Sequence, residues 1–159
     1  MKRRIAILVT LVGLGAQGSL GQAQTNELRS GEWQVSPFAT YVDKSGDKWG
    51  LGVSLTYFLT KQFGIGGATY WTDFSGTFFD NFEGEAYFRI AQFDRLTPYA
   101  VGSIGYQFDS DYWFETFGGG VDFRVADRIK AFGDLQYRIA DNNNSQNGIF
   151  IRLGVRISF

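Results

Sequence analysis

Cysteine and histidine are both missing from this chain of 159 residues. Without cysteine the protein can form neither a disulfide nor a thiolate metal site, and without histidine it cannot build a Ser-His-Asp type of catalytic arrangement. Proline is scarce, with 2 residues, whereas glycine contributes 21 residues and aromatic residues make up 18% of the chain. Many aromatic residues and glycines with few prolines favour a closed β structure over a helical or disordered chain.

The chain also lacks an excess of charge of either sign. It has 15 basic and 16 acidic residues, for a net charge of −1. A nucleic-acid-binding domain is expected to carry a basic stripe, so we predict no nucleic-acid partner. Nothing in the residue types indicates a cofactor, and at this length one domain is the default.

The first residues have the pattern of an export signal. Residues 2–4 are positively charged, residues 5–14 form a short apolar run, and Gly21-Gln22-Ala23 fits a small-x-small cleavage site. The apolar run is well short of the roughly 20 residues that a membrane-spanning helix needs. We therefore predict a signal peptide over residues 1–23, cleaved on export.

The clearest strand pattern lies in residues 149–159, where every odd position is apolar and the even positions include Arg152 and Arg156. Because successive side chains of a β-strand point to opposite faces, this segment predicts a strand with one apolar and one charged face. The same alternation predicts strands around Glu32–Tyr41, Trp49–Tyr57, Phe63–Trp71, Phe82–Ile90, Thr116–Arg124 and Lys130–Arg138. Alternation alone leaves the segment Leu96–Tyr106 ambiguous, and its assignment as a strand comes from the repeat of turns described next.

Short polar turns recur at a constant interval between these segments. They centre on Lys61, Asp94 and Asp127, each 33 residues after the one before. Each interval holds two strands of about ten residues, a tight turn and a longer loop, which is typical of up-and-down barrel hairpins. We predict an all-β fold, an eight-stranded antiparallel up-and-down transmembrane β-barrel over residues 32–159, preceded by a short periplasmic segment over 24–31.

The two faces of the predicted strands differ in charge. One face is almost free of charge and has aromatic residues near the strand ends, as the two interfacial girdles of a membrane barrel require. Turning Arg152 or Arg156 onto lipid at mid-depth would cost roughly 2–4 kcal/mol each, so the charged face is predicted to line the lumen. The predicted lumen charge network consists of Glu83, Glu85, Arg89, Asp122, Arg124, Asp134, Arg138, Arg152 and Arg156.

Three short motifs add a resemblance to this pattern: Pro98-Tyr99, the segment 118–123 (GGGVDF) and the final segment 154–159 (GVRISF). With them, residues 31–159 resemble the small eight-stranded outer-membrane proteins, such as the OmpA transmembrane domain, OmpX and OmpW. The resemblance implies the outer membrane of a Gram-negative bacterium, contact with outer-membrane lipid and lipopolysaccharide, and a monomer. It also implies an assembly signal that the barrel-insertion machinery reads at Leu153, Val155, Ile157 and Phe159.

The sequence leaves the function more open than the fold. Barrel enzymes of this size resemble lipid A deacylases and palmitoyl transferases, which rely on a histidine near a serine, so we predict no catalytic residue. The predicted loop with Asp109, Asp111 and Glu115 is a weak candidate for a site that binds a divalent cation or contacts lipopolysaccharide. The simpler interpretation is that these side chains lie at the solvated edge of a loop.

We expect a non-enzymatic outer-membrane barrel with a structural or surface-interaction role and a lumen closed by charged pairs. Two alternatives stay open. One is a narrow channel for water, ions or small apolar solutes, and the other is a soluble secreted β-barrel that binds a ligand in its interior.

Overall fold

The computed structural model describes residues 28–43, 48–72, 79–141 and 147–159. The predicted signal peptide, and residues 24–27 of the predicted periplasmic segment, lie outside the described residues. In the described ranges we find no helix whose length and hydropathy would let it cross a membrane. Regular structure consists of the strands β1 (Glu32–Asp43), β2 (Lys48–Phe58), β3 (Phe63–Tyr70), β4 (Asn81–Arg89), β5 (Leu96–Gln107), β6 (Tyr112–Ala126), β7 (Ile129–Ala140) and β8 (Gly148–Ser158).

The eight strands form one closed barrel in which each strand pairs with the next and β8 pairs back with β1. All eight pairings are antiparallel. The predicted eight-stranded antiparallel up-and-down barrel is therefore confirmed. Closure satisfies the backbone of every strand without an exposed sheet edge.

The connections divide the barrel into two ends. The short connections 59–62, 90–95 and 127–128 lie at one end, with the start of β1 and the end of β8, and we call this the turn end. The strand ends that the other four connections join lie at the opposite end, which we call the loop end. The three turns at the 33-residue interval are thus confirmed as the links β2–β3, β4–β5 and β6–β7.

The seam between β1 and β8 closes the barrel. Its ladder runs from Gln34↔Ser158 to Asp43↔Ile149, with an interruption opposite Ser36 and Pro37. Proline has no backbone N–H to donate to the ladder, which accounts for this gap. Beyond the turn end of the ladder, the Phe159 amide donates to the Trp33 carbonyl over 2.9 Å.

Side-chain exposure alternates along the strands, in agreement with the predicted apolar and charged faces. The outer wall is apolar: Leu153 is 59% exposed, Phe117 56% and Trp49 56%. The inner face carries the polar and charged residues together with buried rings. Glycine makes room for those rings at two inward positions, because a Cβ on Gly105 would lie 2.4 Å from the Phe114 ring and a Cβ on Gly52 2.4 Å from Tyr70 Cβ.

Candidate functional site

The lumen is the candidate site, because it gathers charged side chains that solvent barely reaches. Glu83 is 0% exposed, and Arg89 and Arg152 are each 1% exposed. These residues come from inward positions of β4 and β8, and β7 adds Asp134 and Arg138. A charge buried to this degree costs several kcal/mol unless it is paired, so the partners of each group decide what the lumen can do.

Arg152 is the centre of the middle cluster, which also contains Glu83, Glu85 and Asp134. Its Nε and Nη2 donate to the two carboxylate oxygens of Asp134 over 2.9 and 3.0 Å. Its Nη1 contacts a carboxylate oxygen of Glu85 and lies 3.5 Å from Glu83 Oε1. The sequence placed these four residues in one network, and the structure brings them together around a single guanidinium.

Hydroxyl and amide groups add further hydrogen bonds to the middle cluster. Tyr99 Oη and Gln136 Nε2 each donate to Asp134, over 2.9 Å in both cases. Ser103 Oγ donates to Glu83 Oε2 over 2.8 Å. The carboxylates are therefore held by several neutral donors as well as by Arg152, which makes the cluster a fixed element of the barrel interior.

A second cluster lies at the turn end around Glu32, the first residue of β1. Both terminal nitrogens of Arg89 lie 3.0 Å from Glu32 Oε2, and Lys130 Nζ lies 3.3 Å from Glu32 Oε1. Ser158 Oγ and Gln34 Nε2 donate to the same Oε1 over 2.6 and 2.7 Å. The predicted network omitted Glu32 and Lys130, although their inward positions in the alternation were the signal that would have included them.

Arg156 and Asp122 form a looser pair on the same inner face. Arg156 Nη1 lies 3.4 Å from Asp122 Oδ1, within ion-pair distance but without a hydrogen bond to either carboxylate oxygen. The Arg156 guanidinium carbon lies 4.3 to 4.9 Å from the ring centroids of Phe132, Tyr99 and Tyr87. The Arg156 guanidinium is therefore surrounded by aromatic rings with which it makes cation–π contacts.

Arg138 is the buried guanidinium nearest the loop end, and it differs from the other three. No carboxylate of the described residues lies within ion-pair distance of it. Its Nη2 donates to the Tyr70 hydroxyl, and its guanidinium lies 4.0 Å from the Phe114 ring centroid and 5.3 Å from that of Phe150. The predicted carboxylate pairing therefore does not describe Arg138, which is stabilised by rings and hydroxyl groups instead.

Arg124 also departs from the predicted network. Its side chain is only half-buried, and its Nη2 donates over 2.6 Å to the backbone carbonyl of Asp94 at the turn end. The register of β6 and β7 shifts between Arg124 and Ala126, so the ladder is irregular at this point. Arg124 belongs to the rim and contacts a turn, not the charged interior.

At the loop end, Asp80 lies buried just before β4 and is contacted by polar side chains of Thr72 and Asn81. The Asp80 carboxylate accepts from Asn81 Nδ2 over 2.5 Å and from Thr72 Oγ1 over 3.3 Å. Burial raises the pKa of the Asp80 carboxyl above its usual value, and the nearby Asp109 carboxylate adds to this increase. Asp80 played no part in the predicted sites, because nothing in the local sequence marks it as buried.

The structure separates the predicted loop candidates. Asp111 accepts a hydrogen bond from the Tyr106 hydroxyl, whereas the Asp109 carboxylate contributes to the raised pKa of Asp80. Glu115 is not a loop residue: it lies in β6, exposed on the outer wall and paired with Ile104 and Ile139. Over the described ranges, no group of three or more acidic side chains converges as a metal site.

The residues of the predicted assembly signal lie along the outer wall of β8. Leu153 is 59% exposed, Val155 40%, Ile157 38% and Phe159 71%. Their positions form one apolar stripe from the middle of the strand to the turn end. This is the geometry that the predicted signal requires, and whether a receptor reads it stays a prediction.

Comparison with known proteins supports the barrel assignment. No family model matches the chain, and no curated protein matches it in sequence. The N-terminal β-barrel domain of Pseudomonas aeruginosa OprF superimposes with a TM-score of 0.67 at 14% identity, covering 82% of this chain and 98% of that one. A de novo designed transmembrane β-barrel gives 0.61 at 16% identity, over 84% and 99%. The outer membrane protein OprG from the same bacterium gives 0.56 at 11% identity, over 84% and 98%.

These similar structures are small outer-membrane and designed transmembrane barrels, so the resemblance seen in the sequence is confirmed at the level of the fold. At identities of 11 to 16%, the likeness extends no further than the fold. One fold supports many activities, and a function has to be argued from the site itself.

Proposed function

We propose that the protein is a non-enzymatic outer-membrane β-barrel with a structural or surface-interaction role and a closed lumen. This proposal rests on the distribution of polarity, which is the inverse of that in a soluble protein: an exposed apolar wall surrounds a buried charged interior. Residues 1–23 would direct export, and the barrel would be inserted as a monomer into a Gram-negative outer membrane. Its partners would be the barrel-insertion machinery during assembly, and afterwards outer-membrane lipid and lipopolysaccharide.

The outer wall supports the membrane location. Soluble monomers rarely expose contiguous apolar patches larger than a few hundred Å², whereas large apolar side chains are exposed on all eight strands of this barrel. Aromatic pairs lie towards both ends, with Tyr41–Trp49 at the loop end and Trp33–Tyr57 at the turn end. Aromatic residues at these two levels match the interfacial girdles of membrane barrels.

The packing of the lumen supports closure. Rings and guanidinium groups stack across it, as Arg89 does on Phe58 at 3.3 Å and Arg152 does beside Phe38 at 5.3 Å. Phe58, Tyr70 and Phe150 are 0% exposed. A continuous pore would leave such inward side chains accessible to water, so we expect the barrel to exclude ions and solutes.

The narrow channel is the second candidate, and one observation favours it. Several inward polar atoms have no hydrogen-bond partner, among them both carboxylate oxygens of Asp122, Glu85 Oε2 and Arg156 Nε. Buried polar groups are normally satisfied by protein or by ordered water. A file of water molecules along these atoms would satisfy them and would also provide a conduction path.

Planar-bilayer recording separates the two candidates. We expect the pure protein to give no steady single-channel conductance steps, because the stacked side chains fill the cross-section of the lumen. Insertion into the bilayer has to be verified in the same preparation, by heat-modifiable gel mobility of protein recovered from matching vesicles. Reproducible steps of constant amplitude from inserted protein would reject the closed lumen in favour of the channel.

Deleting Phe159 tests the proposed assembly signal. We expect a severalfold lower yield of heat-modifiable barrel in the outer-membrane fraction, with export through the inner membrane unchanged, because an exposed aromatic ring is lost from the apolar stripe of β8. Phe159→Trp keeps an aromatic ring and is expected to retain insertion. Phe108→Ala removes another exposed ring, from the β5–β6 connection, and serves as the matched control. An unchanged yield after the deletion would contradict the signal.

A further inference from the structure

A cavity of about 310 Å³ lies at the turn end, between the segment that precedes β1 and the β6–β7 turn. Three basic side chains line it: Arg29 before β1, Arg128 in the turn and Lys130 near the start of β7. Arg29 and Arg128 are exposed, and neither takes part in an ion pair with another described residue. The cavity therefore presents two guanidinium groups without a described counter-ion.

The acidic side chains of the cavity leave an excess of positive charge. Glu32 lines the cavity, but its carboxylate is already engaged, because Arg89 lies 3.0 Å from Oε2 and Lys130 lies 3.3 Å from Oε1. Asp127, in the β6–β7 turn, is the other acidic side chain of the lining. Three basic side chains, with Arg89 as a fourth behind Glu32, thus face two carboxylates, and this balance favours an anionic ligand.

The cavity also borders the apolar outer wall. Phe159 lines it and is 71% exposed. The Phe159 amide donates to the Trp33 carbonyl over 2.9 Å, so the end of β8 lies beside the start of β1 at this point. Trp33 and Ile157, both exposed, continue the apolar surface along the wall. A cationic cavity beside an apolar wall suits a ligand with an anionic head and apolar chains, whereas a small soluble anion would use the cavity alone.

We propose that this cavity binds the phosphate of an anionic phospholipid through Arg29 and Arg128. Lys130 would be a further donor, and the lipid chains would lie along Phe159 and Trp33. Basic side chains at a membrane surface attract anionic lipids, and a guanidinium group pairs with phosphate through two parallel hydrogen bonds. The inference rests on the proposed outer-membrane location. The predicted periplasmic segment precedes β1 at the turn end, so the cavity would face the inner leaflet, whose lipids are phospholipids.

Quenching of tryptophan fluorescence by brominated lipids tests the site. Trp33 is at the turn end, whereas the other three tryptophans, Trp49, Trp71 and Trp113, are at the loop end. The full barrel is folded into phosphatidylcholine vesicles that contain the same fraction of either brominated phosphatidylglycerol or brominated phosphatidylcholine. We expect the anionic lipid to surround Trp33 at least about threefold more often than its share of the bilayer, because several basic side chains attract it. Trp33→Phe is expected to remove this excess quenching.

Two double variants distinguish a defined site from a general effect of charge. Arg29→Gln with Arg128→Gln is expected to abolish the excess quenching without changing heat-modifiable mobility, because both side chains are exposed and form no described ion pair. Lys61→Gln with Arg95→Gln is the matched control. It removes two exposed positive charges from the same end but outside the cavity, and it is expected to keep most of the excess.

Equal quenching of the wild-type barrel by the two brominated lipids would overturn the lipid site. If the protein then bound inorganic phosphate saturably in neutral detergent, the ligand of the cavity would be a soluble anion. An equal loss of the excess in the two double variants would also overturn the site, since it would indicate a diffuse basic surface. Quenching by neither lipid would reject the membrane location and the site with it, whereas equal quenching by both leaves the location standing.

Discussion

Replacing Arg152 by methionine is expected to lower the free energy of unfolding of the barrel by about 3–5 kcal/mol, the usual cost of breaking a buried ion pair from one side. Arg152 is the guanidinium that Glu83, Glu85 and Asp134 contact in the middle cluster. Methionine fills part of the same volume but leaves these carboxylates buried without their cation. Urea unfolding in detergent micelles, followed by tryptophan fluorescence, measures the change.

Two further variants show whether the loss comes from the ion pairs. Arg124→Met removes a guanidinium whose described partner is a turn carbonyl, so a change within about 0.5 kcal/mol is expected, as for most surface substitutions. In the double variant Arg152→Met with Glu85→Gln, the net charge of the lumen is restored. Because the two side chains are in contact, its destabilisation is expected to fall short of the sum of the single changes. Strict additivity, or an Arg152→Met barrel as stable as the wild type, would show that the middle cluster does not stabilise the fold.

The strands and their two faces were predictable because both depend on a local rule. Side chains alternate with a period of two, so the inward position of Arg152 follows from its own strand without knowledge of any other. The 33-residue interval between turns then gave the strand count. Partners across the lumen follow no such rule. Arg152 meets Asp134 on the neighbouring strand β7, but it also meets Glu85 from β4 on the far side of the barrel.

Distances between side chains across the lumen depend on both the stagger and the tilt of the strands, and neither can be predicted directly from the sequence. The prediction that inward charges pair with one another therefore describes the middle cluster but fails for Arg138, whose surroundings are rings and hydroxyl groups. Asp80 illustrates the same point at the loop end. Its backbone carbonyl accepts a hydrogen bond over 2.8 Å from the Phe108 amide of the β5–β6 connection, which lies 28 residues further along the chain.

One fold supports many activities, so the features that are particular to this chain are the informative ones for function. They are the middle cluster and the aromatic rings around the Arg156 guanidinium.

Replacing Leu153 by arginine tests the membrane location directly. Leu153 lies midway along β8 and is 59% exposed on the outer wall. In a bilayer its side chain would face lipid near mid-depth, where an arginine costs roughly 2–4 kcal/mol in free energy of folding. In a soluble barrel the same position would face water, and the substitution would have little effect. Guanidinium unfolding in phospholipid vesicles, monitored by tryptophan fluorescence, measures the difference.

Depth along the same strand provides the control. Ile157 lies near the turn end of β8, also on the outer wall, and the cost of arginine falls to about 0–1 kcal/mol near the interface. We therefore expect Leu153→Arg to be clearly more destabilising than Ile157→Arg in vesicles. A soluble barrel predicts no such gradient, because water surrounds both positions equally. Equal, small effects at the two sites, together with wild-type protein recovered without detergent, would reject the outer-membrane proposal and leave the secreted ligand binder as the better description.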